Sequence, residues 1–390
     1  MKKYDVGFKL IMTAVWGFAG WVVWCLCSTV RSAVEPHRFF IFFDYMAVGG
    51  FVLIILTVWS QQLKKRRKHV LIAYVLLCTA IAAGGILTWK DKKAAVLNQN
   101  FDTKKYLPFH EDSKIVRLKD KSTLKLKDHL PVIDGAAALF PVYSAVANAV
   151  YPEDITLLDD EDEECVFVYN NTVEGYDALA EKNTDLFFGV YPSKQQLEWA
   201  KECGQEFKLT PIGKDGFIFF VNKDNPVSSL TTEQIKKIYS GDITNWKEVG
   251  GKNEKIAAYQ RNENSGSQTA FLRFMEGEKI MKPPTDQVED LMSGIIEEVA
   301  DYENRTGSIG FSFRCYTEKM IANPQIKILS VDGIRPSKET IKNGTYPLTV
   351  YIYAVTRRAD KKRNVKKLVD WMLSEQGQYI IDQTGYVPIK

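Results

Sequence analysis

The stretch Arg261-Asn262-Glu263-Asn264-Ser265-Gly266-Ser267-Gln268-Thr269 lies between the apolar run Ile256-Ala257-Ala258-Tyr259 and Ala270-Phe271-Leu272-Arg273-Phe274-Met275. Read locally, it is a strand, a tight polar turn and a helix. Such a turn presents backbone N–H groups at the positive end of the helix, and Gly266 has no side chain to keep a ligand from that backbone. Ser265, Ser267 and Thr269 add hydroxyls, and Arg261 adds a planar cationic fork suited to an oxyanion or carboxylate. The same letters also fit a plain surface helix, with Ser265 as its N-cap and Arg261 as a solvated charge.

A second strand-turn-helix junction lies upstream. Pro131-Val132-Ile133 leads into Asp134-Gly135-Ala136-Ala137-Ala138, and then Leu139, Val142, Val146 and Val150 recur at helical spacing. The alanines either let this helix pack closely on a sheet or let a ligand reach its end, with Asp134 as cap. Between the two junctions the pattern predicts a strand at Cys165–Tyr169, a polar turn at Asn170-Asn171-Thr172 and a helix from Glu174 to about Lys182. It then predicts a strand at Asp185–Val190, a helix at Ser193–Cys203 and two strands, Phe207–Ile212 and Phe217–Val221. This alternation implies an α/β domain with a mostly parallel sheet.

Asn225-Pro226 breaks the chain before Thr231-Thr232-Glu233-Gln234, a capping box that opens a helix reaching Tyr239. Beyond Arg261–Thr269 the expectations are a helix near Asp286–Ala300 and strands at Ile309–Phe313, Ile326–Leu329 and Leu348–Val355. An amphipathic helix carrying Val365, Leu368, Val369, Met372 and Leu373, ended by Gly377, comes last.

The chain has 390 residues, of which 45% are hydrophobic and 25% charged, an ordinary globular average that conceals a sharp division. Leu10–Val30 and Val70–Trp89 carry no charge, and Phe39–Ser60 carries only Asp44. Each is about as long as the roughly 20 residues that span a bilayer, so three transmembrane helices are expected. The first run is longer than a signal-peptide core and a second follows at once, so it reads as a retained anchor. The cluster Lys64-Lys65-Arg66-Arg67-Lys68 between the second and third runs places that loop, and the N-terminus, in the cytoplasm. Everything after Trp89 is then expected outside the cell, with residues 91–130 as a tether holding one short strand at Leu124–Leu126.

Other features argue against further chemistry. A net charge of +3 is too small to imply a nucleic-acid partner. Cys165, Cys203 and Cys315 follow the apolar runs without CxxC spacing, which indicates neither a disulfide framework nor zinc. The acidic run Asp159–Glu164 lacks the glycine turn and spaced ligands of a calcium loop. Ser122-Thr123-Leu124-Lys125 matches Ser-x-x-Lys but has no companion motif. The four histidines His37, His69, His110 and His129 form no triad or metal pattern, so no catalytic residues, cofactor or metal are expected.

Several motifs together resemble one family. They are Asp134-Gly135-Ala136-Ala137-Ala138-Leu139-Phe140-Pro141, Ser240-Gly241-Asp242-Ile243-Thr244-Asn245-Trp246, Arg261–Thr269, Gly307-Ser308-Ile309-Gly310-Phe311 and the tail Thr384-Gly385-Tyr386-Val387-Pro388. In this order they resemble the phosphate-binding proteins of ABC-type transporters, of the bilobed type II periplasmic-binding fold, over about residues 131–390.

The resemblance implies two lobes, 131–214 with 345–390 and 215–344, closing on a small oxyanion, phosphate first. It implies ligand contacts from Arg261, Ser265, Gly266 and Ser267 on one side and Asn171, Thr172, Ala137 and Ala138 on the other. The hydroxyl that the family carries at the first helix end falls on Ala136–Ala138, and its proton-accepting aspartate falls near Val190. Asp134 and Glu263 are the candidates to replace that acceptor, and Tyr176, Tyr191 and Phe140 are candidates to suit the cleft to a larger ligand. An ABC permease or other membrane partner is implied. The alternative is a sensing or protein-interaction module on the same scaffold.

Overall fold

A computed structural model of the chain describes residues 102–157, 165–282, 288–289 and 307–389. All of them belong to the second of two units, Ala95–Lys390. The apolar runs at about 10–30, 39–60 and 70–89 and the acidic run Asp159–Glu164 lie outside the described residues. Among the described residues no helix is long and apolar enough to cross a membrane. The expected multi-pass membrane localisation, with its extracytoplasmic C-terminal domain, is corrected on that ground.

In chain order the described residues form β1 (Ile133–Gly135), α1 (Phe140–Val150), α2 (Asn171–Glu181), β2 (Leu186–Gly189), α3 (Lys194–Glu202) and the long β3 (Phe207–Asn222). There follow β4 (Ser229–Leu230), α4 (Thr232–Ser240), β5 (Ala257–Ala258), β6 (Gln260–Arg261), α5 (Gly266–Phe274), β7 (Val288–Glu289) and β8 (Ser308–Phe313). Then come β9 (Ile326–Ile328), β10 (Ser330–Val331), α6 (Lys338–Lys342), β11 (Thr349–Arg357), α7 (Arg363–Met372) and α8 (Glu375–Thr384).

The main sheet runs β1-β2-β11-β3-β8-β5, with β9 also on β3. Its outer pairs, β1 with β2 and β5 with β8, are parallel. The central strands are antiparallel: β11 against β2 and β3, and β8 and β9 against β3. The expectation of a mostly parallel sheet is therefore corrected to a mixed one. The cause is β3. Lys214-Asp215-Gly216 reads as a turn between two strands, yet its backbone stays paired with Thr349–Tyr351 of β11, so the two expected strands are one. Ile352 lies opposite Gly213 and Tyr353 opposite Pro211, leaving Ile212 as an extra residue; such a bulge bends the strand where it passes from one half of the sheet to the other.

Local signals set most element ends. Thr231 and Gln234 complete the capping box of α4, and Gly241 at φ 88° closes it in the left-handed conformation that suits glycine. Ser193 and Gln196 do the same at the start of α3. Other expectations change. Cys165–Tyr169 contributes only isolated bridges from Phe167 to Ile133 and Leu157. Leu124–Leu126 is no strand, but Leu126 is buried and its N–H donates to Val150 O at 2.9 Å, so this part of the expected tether packs onto α1. Gly377 does not end the last helix; the break comes at Leu373-Ser374, where Ser374 caps α8 and Ile380 and Ile381 enter the core. Val288–Glu289, expected in a helix, pairs with β6.

The half of the sheet holding β8 is packed with aromatic rings. Phe311 is fully buried and stacks on Phe271 of α5, centroids 4.6 Å apart and planes 4° from parallel. Tyr239 of α4 and Phe219 of β3 close the same cluster. Removing the Phe311 ring leaves a cavity between sheet and both helices, so Phe311→Ala is expected to destabilise the fold by about 3–5 kcal/mol, measured by urea unfolding.

Candidate functional site

The start of α5 is an interior feature. Arg261 at the end of β6 is 4% exposed, and Ser265, Ser267 and Gln268 are buried beside it. Ser265 caps the helix by accepting from Gln268 N at 3.3 Å. The Arg261 N–H donates to the Gln268 side chain at 3.0 Å, and its Nη1 lies 3.3 Å from Ser267 Oγ. The guanidinium is thus aimed at the first turn of the helix, where the backbone dipole already favours negative charge. A plain cap beside a solvated arginine would have left Arg261 exposed.

Opposite this turn stand the loop after β2 and the start of α2. A Cβ on Gly266 would lie 2.9 Å from Val190 Cγ2 and 3.5 Å from Thr172 Oγ1, so only glycine allows this approach without displacing Val190. Asn171 adopts a positive φ of 60° and accepts from Ala137 N at 3.5 Å, which joins the α2 turn to the alanine turn. Ala136, Ala138, Thr172, Val190, Gly266 and Asp215 are among the residues around a cavity of about 10 Å³, near the volume of one water.

Of the residues expected at a site, Ala138, Thr172 and Gly266 line this cavity. Ala137 and Asn171 are bonded to each other beside it, while Ser265, Ser267 and Arg261 lie in and before the first turn of α5 and are not among its lining. The two candidate acceptors are not among the lining. Asp134 is fully buried, but Gly135 N donates to it at 2.7 Å and Asn170 donates to it from N at 3.0 Å and Nδ2 at 3.2 Å, so it pins the loop before α2. Glu263 is exposed at the tip of the turn. Phe140 is fully buried in the core, and Tyr176 is buried with its hydroxyl donating to Val190 O at 2.5 Å. Neither shapes a larger cleft. Among the described residues no cluster of His, Cys, Asp and Glu could hold a metal ion.

The carboxylate at the cavity is one that the sequence reading passed over, Asp215 in mid-β3. Its signal was an acid standing two residues before a fully apolar strand run, which Gly216 disguised as a turn. Arg314 Nε lies 3.3 Å from its Oδ1, and Cys315 N donates to its Oδ2 at 3.0 Å. Arg314 also donates to Glu318 at 2.8 Å and to Gly385 O at 2.6 Å, while the Tyr386 hydroxyl donates to Ala138 O. The C-terminal tail is thereby tied to both the hinge strand and the alanine turn. Burial pushes the Asp215 carboxyl up to about 6, against the opposing pull of Arg314 and the N–H groups of Cys315 and Gly216.

The two halves also hold each other directly. Asn264, at φ 67°, accepts from Ser193 Oγ at 2.7 Å and donates through Nδ2 to Gln195 Oε1 at 2.7 Å. Gln196 Nε2 donates to both Asn264 O, at 3.2 Å, and Thr172 O, at 3.3 Å. The start of α3 therefore grips the turn before α5.

A profile of the PBP superfamily domain matches residues 131–376. The chain belongs to the PBP superfamily. Within that superfamily it is similar to the phosphate-binding protein PstS of Borreliella burgdorferi, 30% identical over 57% of this chain and 82% of that protein. It is also 29% identical to the phosphate-binding protein PstS of Bacillus subtilis, over 45% of this chain and 55% of that relative. Among solved PBP structures it matches a phosphate ABC transporter substrate-binding protein with bound phosphate from Clostridium perfringens, with a TM-score of 0.52 and 26% identity. That match covers 66% of this chain and 98% of the other.

Two measurements probe this arrangement. A folded carboxyl raised to about 6 keeps its proton to higher pH than the unfolded chain, where aspartate titrates near 3.9, so the native state binds more protons between those values. Stability contributed by Asp215 is then present below about pH 4 and lost as pH rises to about 6. Asp215→Asn is expected to flatten that fall in urea midpoints between pH 4 and 6.5, relative to the wild type. Asn264→Ala removes two side-chain hydrogen bonds and puts alanine at positive φ, which is expected to cost about 1–3 kcal/mol and to enlarge the radius of gyration in small-angle scattering as the halves separate.

Proposed function

We propose that this chain is the substrate-binding component for a small oxyanion, phosphate first, working with an ABC-type transporter. The observation that carries this reading is the buried Arg261 guanidinium beside Ser267 in the first turn of α5, the helix whose Gly266 stands against Thr172. Helix N–H groups, hydroxyls and one fixed cation make a receptor for a compact anion. The names of the Borreliella and Bacillus relatives and the bound phosphate of the Clostridium structure support phosphate as that anion.

On this reading Arg261, Ser265, Gly266 and Ser267 supply contacts from residues 215–344. Asn171, Thr172 and the backbone at Ala137 and Ala138 supply them from residues 131–214 and 345–390. Closure is rewarded because the contacts are complete only when both sides meet. The partner is an ABC permease or another membrane protein that receives the closed form. Asp215 is the carboxylate nearest the ligand space and takes the place that Asp134 and Glu263 do not fill. A carboxylate there accepts the proton of a protonated phosphate and repels fully ionised sulfate.

One observation favours a second reading, a sensing or interaction module with no transport role. Val190 sits against Gly266 where the family has an acid, and the space left is about 10 Å³.

Calorimetric titration with phosphate, sulfate and arsenate separates the two. Phosphate binding by the wild type is expected, with Arg261→Gln weakening it by about 2–3 kcal/mol, because a charge-assisted hydrogen bond is lost inside a buried site. A wild type that gives no heat with any of the three anions overturns the receptor reading and leaves the module.

A further inference from the structure

Behind Val190 lies a second, larger space. A chamber of about 340 Å³ is walled by Tyr191 from the loop after β2, Arg273 from α5, and Tyr351 and Tyr353 from β11, with Val190 and Phe313 as its inner wall. Those last two residues also line the small cavity, so they form the partition between the two spaces. The larger volume is that of a small-molecule site, which the 10 Å³ cavity is not.

The lining specifies a ligand. Tyr191 and Tyr351 are 38% and 44% exposed, among the few large apolar side chains so placed, and both face this chamber. The rings do not cover one another. Tyr191 meets Tyr353 edge-on, centroids 6.4 Å apart, and Tyr351 meets Tyr353 at a tilt of 45° and 6.3 Å. Ring surface therefore remains for a flat guest, held by stacking or edge contacts.

The charge is positive. Arg273 lies over the Tyr191 ring at 4.0 Å and Lys214 Nζ over the Tyr351 ring at 5.6 Å, while among the described residues no acid stands in the lining. A guanidinium on a ring face keeps its N–H edge for a second partner, and that edge suits a carboxylate or phosphate. Because Tyr191 and Arg273 come from opposite sides of the cleft, a guest that touches both is held only when the sides are together.

We propose that this chamber binds a ring-bearing organic anion, its ring among Tyr191, Tyr351 and Tyr353 and its acid group on Arg273. The site is separate from the oxyanion turn of α5 and does not require phosphate to occupy the smaller cavity.

The test is calorimetric titration of the full chain with phenyl phosphate, benzoate and inorganic phosphate. Both aryl anions are expected to bind the wild type. Arg273→Gln and Tyr351→Ala should each weaken them by about tenfold or more, the size of one charge-assisted hydrogen bond or one ring contact. Arg273→Lys should retain part of the affinity, and Tyr351→Ala should leave the response to inorganic phosphate unchanged. If the wild type gives no heat with both aryl anions at millimolar concentration, the proposal fails. It fails equally if both variants bind them as the wild type does. Binding of phenyl phosphate that Arg261→Gln abolishes and Arg273→Gln spares would place that ligand in the α5 turn and overturn the chamber. Absence of inorganic phosphate binding bears only on the oxyanion reading.

Discussion

The N-terminus of α5 meets the opposite side of the cleft with no side chain in between, and much of the molecule follows from that contact. Gly266 is the residue that permits it, since a methyl group there would overlap Val190. The approach brings the first residue of the helix, Gly266, to the same small space as Thr172 and the alanine turn, with Arg261 held against Ser267 in the same first turn. None of these groups is selective alone. Backbone N–H groups and a guanidinium bind any compact oxyanion, so discrimination has to come from what else reaches the space.

Asp215 lines that space, and its position depends on β3. β3 runs unbroken through both halves of the sheet, so a residue at its midpoint is held from both sides and lies at the floor of the cleft. Arg314, Cys315 N and the tail at Gly385 and Tyr386 fix it there. A carboxylate taken out of water beside a single guanidinium is costly unless its oxygens are met, and burial here outweighs the cation. The same network that anchors the C-terminal tail thus sets the charge of the cavity floor.

Side chains of the protein itself bridge the cleft. Asn264 and the start of α3 exchange side-chain hydrogen bonds across the cleft, and Arg273 lies on Tyr191 nearby. Such contacts hold the two sides of the cleft together. The aromatic chamber behind Val190 is roomier than the space at the α5 turn.

The sequence by itself determined the local elements and the type of chemistry at the α5 turn. The capping box at Thr231 and the periodicity of α1 and α7 are short-range signals, and each was legible because its cause lies within a few residues. The motifs from Asp134 to Pro388 carried the bilobed fold, and the family match agrees with them. Strand order and the cavity floor were decided only by tertiary structure. Lys214-Asp215-Gly216 has the letters of a turn and became mid-strand because β11, more than a hundred residues away, supplies the ladder. Leu124–Leu126 has the letters of a strand and became a packed segment because Val150 takes its N–H. Asp134 and Glu263 looked like equal candidates for one role. Asp134 is consumed by the loop before α2 and Glu263 points outward, because which way a side chain faces depends on long-range packing that no local pattern records.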